Sequence, residues 1–103
     1  MTIDDDVSTD ELRLAVEHNC GVPARFVEVV EVDERHKGRT VWQGAVKVFE
    51  LTGHPKASRA YAWSVRTEGT KRRFVTVLGV PPVDSPVMAV RAVIVADARA
   101  TMH

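Results

Sequence analysis

Four histidines, one cysteine and a scatter of glutamates are the residues of this 103-residue chain best equipped for chemistry. His18, His36, His54 and His103 fall into no HxH or HxxxH pattern, so none has the spacing by which two imidazoles share a metal. His18 and Cys20 stand two apart at a helix end and point in different directions. Cys20 could meet a histidine only through the fold, and a lone cysteine on an apolar helix face reads first as a small core residue. Glu11, Glu17, Glu28 and Glu31 carry the groups a general acid–base pair would need, but they belong to a first helix and a first strand, where acids are ordinarily solvated. No glycine-rich phosphate loop or serine elbow occurs. The expectation is a non-catalytic protein with no metal and no cofactor.

Binding residues are easier to find. The stretch ELTGHPKASRAYAWS, residues 50–64, places His54, Lys56 and Arg59 where they could grip an anion. The same stretch also reads as turn chemistry, because Gly53 gives freedom and Pro55 forces His54 to be extended. Trp42, Tyr61 and Trp63 fall on neighbouring strands, where same-face side chains meet across ~5 Å. They are core if helices cover that face and an exposed aromatic strip if not. A third set is Arg66, Lys71, Arg72 and Arg73, which with Arg59 puts bases among the aromatics of two strands. Arginines that hold phosphates beside rings that stack bases are the equipment of sheet-type single-strand binders.

Charge is segregated along the chain. Residues 1–34 hold ten acids and two bases; residues 35–73 hold ten bases and two acids; the formal total is zero. A neutral total argues against long-range steering toward polyanions, while the segregation leaves room for a local basic patch. Acidic and basic strands that neutralise each other by pairing would account for it equally well.

The length suits one domain, and the 45% hydrophobic content is ordinary for a globular protein. No apolar run approaches the ~18 residues of a membrane helix. The acidic start, MTIDDDVSTDE, lacks a basic-then-apolar signal pattern, and one cysteine fits a reducing compartment. A soluble, cytoplasmic protein without a membrane partner is expected.

These residues need elements to hold them. Residues 1–7 read as a loose, disordered acidic tail and 8–103 as one α+β domain. Ser8 and Glu11 have capping-box spacing, Leu12, Ala15, Val16 and Asn19/Cys20 share a helix face, and Gly21 with Pro23 supplies the stop. Strands follow over 24–34, 40–51, 59–66 and 72–80, with Gly44 marking a bulge or close approach, a turn around Gly38 and another at TEGT. Ser85–Pro86 opens a last helix, VMAVRAVIVADARA, apolar most of the way round; a strand over AVRAVIVA is the competing reading. The predicted fold is helix, four-stranded antiparallel meander, helix, a two-layer sandwich with both helices on one face of the sheet. The element order is similar in outline to that of the double-stranded RNA-binding domain, a class that reads RNA shape. That domain's lysines at the start of the last helix are replaced here by Val83-Asp84-Ser85-Pro86-Val87-Met88.

From these elements the expected role is a small interaction domain, homodimeric through Val90 and Ile94 of the last helix and an open sheet face around Trp42 and Trp63. The alternative is binding of nucleic acid or another polyanion through the basic hairpins.

Overall fold

A computed structural model describes the backbone of residues 2–3, 8–66 and 72–101, with side chains over 8–65 and 73–96. The elements are β1 (Thr2–Ile3), α1 (Thr9–Cys20), β2 (Ala24–His36), β3 (Arg39–Leu51), β4 (Arg59–Arg66), β5 (Arg72–Leu78) and α2 (Pro86–Thr101). The α+β class and the order helix, antiparallel meander, helix are as the sequence predicts. The acidic tail lies outside the described residues except at Thr2–Ile3, whose backbone pairs with Val65 and Arg66 of β4. The turn at 67–70 and Lys71 also lie outside them.

Local chemistry sets the ends of each element. Ser8 Oγ accepts from the Glu11 amide at 3.1 Å, and Gly21 takes a left-handed φ of 72° while its amide donates to Glu17 O at 2.8 Å. The Glu17 carboxylate then accepts from the Ala24 amide at 2.8 Å and from Arg13 Nη1 at 2.9 Å, so α1 is tied to the first residue of β2. β2 and β3 join through a two-residue turn, Lys37-Gly38, with His36 opposite Arg39. Both turn residues have positive φ, 54° and 79°, the mirror-image turn whose twist suits a hairpin. The register shifts of this ladder fall at Phe26/Glu28 and Glu34/Arg35, so the extra residues are Val27 in β2 and Val41 in β3, and not Gly44, which pairs with Val32. α2 forms where a strand competed: Ser85 Oγ accepts from the Met88 amide at 3.3 Å, and Pro86 opens the first turn.

The four long strands lie in the order β5-β4-β3-β2, all antiparallel. The helices do not share a face. Consecutive residues of β4 alternate between two separate hydrophobic clusters. Ala60 and Ala62 pack with Leu12 and Val16 of α1, whereas Tyr61, Trp63 and Val65 pack with Ala89 and Val90 of α2. The single covered face of the prediction is therefore corrected to one helix per face. β4 carries no charge from Ala60 to Val65 and is buried along that whole run. The continuous burial is that of a central strand covered on both sides. Its small side chains, Ala60 and Ala62, pack on the α1 side, and its large ones, Tyr61 and Trp63, on the α2 side.

Candidate functional site

The aromatic residues are core. Trp63 is 1% exposed and Tyr61 is 2% exposed beneath α2. Half-buried Trp42 packs edge-on against Trp63, with centroids 5.5 Å apart and planes at 71°. The open aromatic face expected around Trp42 and Trp63 is thus corrected: α2 covers it, because that helix has sheet-facing apolar residues of its own to bury. Burial pushes the Tyr61 phenol up; Arg59 opposes the shift and Asp84 adds to it.

His54 fastens a loop. Gly53 turns the chain with φ 79°, and His54 Nδ1 accepts from the amides of Lys56 and Ala57, both at 3.1 Å. Lys56 is exposed on the same loop. His54 also borders an open cleft of about 490 Å³ formed by residues 73–76 and Leu78 of β5 with Asn19 and Cys20 at the end of α1. Burial raises the Cys20 thiol, the direction opposite to the one a thiolate nucleophile needs.

The basic residues divide. Arg59 and Arg73 are both exposed, but they stand at opposite ends of the β4–β5 ladder, Arg73 facing Val65. Six residue steps along the strand from Arg59 to Val65 separate them by roughly 20 Å at the usual strand rise. Arg66 and Arg72 are directly opposed in the ladder, one step from Arg73. Lys56 and Arg59 thus stand at one end of β4 and Arg66, Arg72 and Arg73 at the other, while His54 and Arg73 border the same cleft.

A surface missed by the sequence reading lies on the outside of α2. Val90, expected as a contact residue, is 0% exposed against the sheet, and Ile94 is half-buried. The outward stripe is Met88, Arg91, Ala92 and Val95, at spacings of three and four, with Val95 49% exposed. A groove of about 380 Å³ runs between this stripe and the β2–β3 turn, where Val41 is also 49% exposed. A second, of about 360 Å³, runs between it and Pro82-Val83. Arg91 Nε donates to Glu34 Oε1 at 2.6 Å, so the one described charge in the stripe is neutralised from the neighbouring hairpin. The signal available in the sequence was the position of Arg91: a single charge marks the wet side of an otherwise apolar helix.

Among the described residues no group of three or more His, Cys, Asp or Glu side chains is placed to hold a metal. No described helix is long and apolar enough to cross a membrane. Comparison with known proteins returns no matching family model, no matching curated protein and no matching solved structure.

Proposed function

We propose that this chain is a small, soluble, non-catalytic interaction domain of the cytoplasm that self-associates through the outer side of α2. One observation carries the reading: the stripe Met88, Ala92 and Val95 is apolar, flanked by two shallow grooves, and its arginine is already paired with Glu34. Apolar surface rimmed by polar groups is what a contact patch offers, and an isologous pair of such helices would cover both stripes at once. The Arg91–Glu34 pair is too exposed to add much stability, so its effect here is to remove a repulsive charge from the patch. Size-exclusion chromatography with light scattering over a wide concentration range tests the reading. The wild type is expected to dimerise, and Val95→Glu, at an exposed position, to remain folded and monomeric. A wild type that stays monomeric throughout, or a Val95→Glu variant that dimerises equally well, overturns it.

A second reading has support from one register. Arg66 lies directly opposite Arg72, with Arg73 adjacent and Lys71 next in sequence. Like charges directly opposed in a ladder cost stability, and an anionic partner would relieve that cost. Binding of nucleic acid or another polyanion at this hairpin end predicts affinity that falls steeply with salt as counterions are released. A labelled oligonucleotide that shows no binding even at low salt removes this reading.

A further inference from the structure

The outer edge of β5 is unpaired among the described residues and carries a cleft along its length. We propose that this edge takes an extended acidic peptide segment as an added strand. The phase of the ladder gives the template. The Gly79 amide donates to Arg59 O at 2.8 Å, which makes Arg59 and Gly79 a hydrogen-bonded pair. Bonded pairs alternate in an antiparallel ladder, so Val77, Val75 and Arg73 turn their backbone groups toward Tyr61, Trp63 and Val65. Phe74, Thr76 and Leu78 therefore turn theirs away from β4. The Leu78 carbonyl accepts from the Val80 amide at 2.9 Å, which leaves three outward amides and the carbonyls of Phe74 and Thr76.

The cleft follows this edge and not one face of the sheet. A cavity on a face touches every second residue of a strand, whereas this one touches residues 73 to 76 in succession. The end of α1 and His54 form its far wall. Such a groove between an edge strand and a helix is the geometry in which a peptide adds by main-chain hydrogen bonds, its alternate side chains giving specificity.

The other edge of the sheet is defended and this one is not. β2 carries a bulge at Val27, a second register shift in its ladder at Glu34/Arg35, and the charges of Glu28, Glu31, Asp33, Glu34 and Arg35. β5 pairs without a shift from Arg72 to Leu78, contains no proline, and is charged only at its first two positions. Bulges, charges and prolines are the devices that keep strand edges from pairing. Electrostatics select the occupant. Among the described residues no carboxylate borders the cleft and exposed Arg73 has no ion-pair partner. Phe74, 38% exposed, offers apolar contact beside it. An extended segment alternating acidic and apolar residues matches both.

The test uses the full chain and a fluorescein-labelled peptide alternating glutamate with valine, with controls that replace glutamate by lysine or the central valines by proline. The acidic peptide is expected to bind saturably and each control to bind weakly. Arg73→Glu should weaken binding roughly tenfold or more, as loss of one charge-assisted contact implies. Bound peptide should slow hydrogen exchange at the amides of Phe74, Thr76 and Leu78. Thr76→Pro removes one outward amide without touching the β4 ladder and should abolish binding, whereas Thr76→Val, which loses only the hydroxyl that accepts from Asn19 Nδ2 at 3.3 Å, should keep it. If the proline variant fails to fold, the wild-type exchange pattern still decides. Equal binding of the lysine peptide, or no added protection at those three amides, overturns the proposal. So does protection there that rises with protein concentration alone, which would assign the edge to a second copy. The inference does not rest on self-association through α2: monomeric Val95→Glu should bind the peptide unchanged.

Discussion

Replacing Trp63 by alanine probes the claim on which the whole architecture turns, that β4 is sealed beneath α2 as well as beneath α1. An indole buries about 150–250 Å², which at about 25 cal/mol per Å² corresponds to roughly 4–6 kcal/mol of transfer free energy for the whole ring. Alanine retains a little of that, and the cavity relaxes only in part, so the expected loss is about 3–5 kcal/mol. Trp63 is 1% exposed, so no solvent discount applies. A domain of this size has only about 5–15 kcal/mol in total, so Trp63→Ala should lose roughly a fifth or more of its stability. The edge-on contact with Trp42, centroids 5.5 Å apart, adds a separable quantity. A double-mutant cycle with Trp42→Ala should return about 0.5–1.5 kcal/mol of coupling, the usual worth of such ring pairs. Urea unfolding followed by circular dichroism measures all four proteins without relying on either indole as the reporter. A Trp63→Ala loss below about 1 kcal/mol would show that the ring is not enclosed. Zero coupling would show that the two rings do not touch.

Two further outcomes follow from single side chains. Glu17→Ala leaves the Ala24 amide, at the buried start of β2, without its acceptor and should cost about 1–3 kcal/mol in urea unfolding, with Glu17→Gln costing less because it keeps an acceptor oxygen. The unfolded Tyr61 phenol titrates near 10.0 and the folded one higher, through burial chiefly, so the folded chain holds its proton longer. The corresponding stability is fully present below that value and lost as pH rises through the folded one; the urea midpoint should drop from about pH 9 to about pH 11, and Tyr61→Phe should flatten the decline.

Much of the fold could be read from the chain because local chemistry and periodicity agreed. Ser8, Gly21 and Ser85–Pro86 are punctuation with a direct physical meaning, and each does in space what its residue type suggests. The alternation of RAYAWSVR gave a strand whose bounds, Arg59 to Arg66, match the structure. The number of covered faces was harder, because period-two alternation of large and small residues resembles alternation of buried and exposed ones. The discriminating feature was the absence of charge from Ala60 to Val65; small is not the same as wet. The candidate sites were less legible for a related reason. Trp42, Tyr61 and Trp63 could be grouped on one face from spacing alone, but what lay over that face depended on a helix more than twenty residues downstream. Val95 and Val41 line one groove because the β2–β3 hairpin reaches α2, and Val41 is an extra residue in its ladder that no local signal announces.

The division of the interior by β4 has a consequence for motion. Two sets of apolar side chains lie back to back, and the backbones of β3 and β4 run between them. Detaching α2 would uncover Tyr61, Trp63 and Val65 while Leu12, Val16 and Phe49 kept their neighbours. Such a molecule can open in halves, and amides beneath one helix can become reachable by solvent while those beneath the other stay closed. A partner that grips the outside of α2 would then steady one half of the interior and leave the other to its own fluctuations.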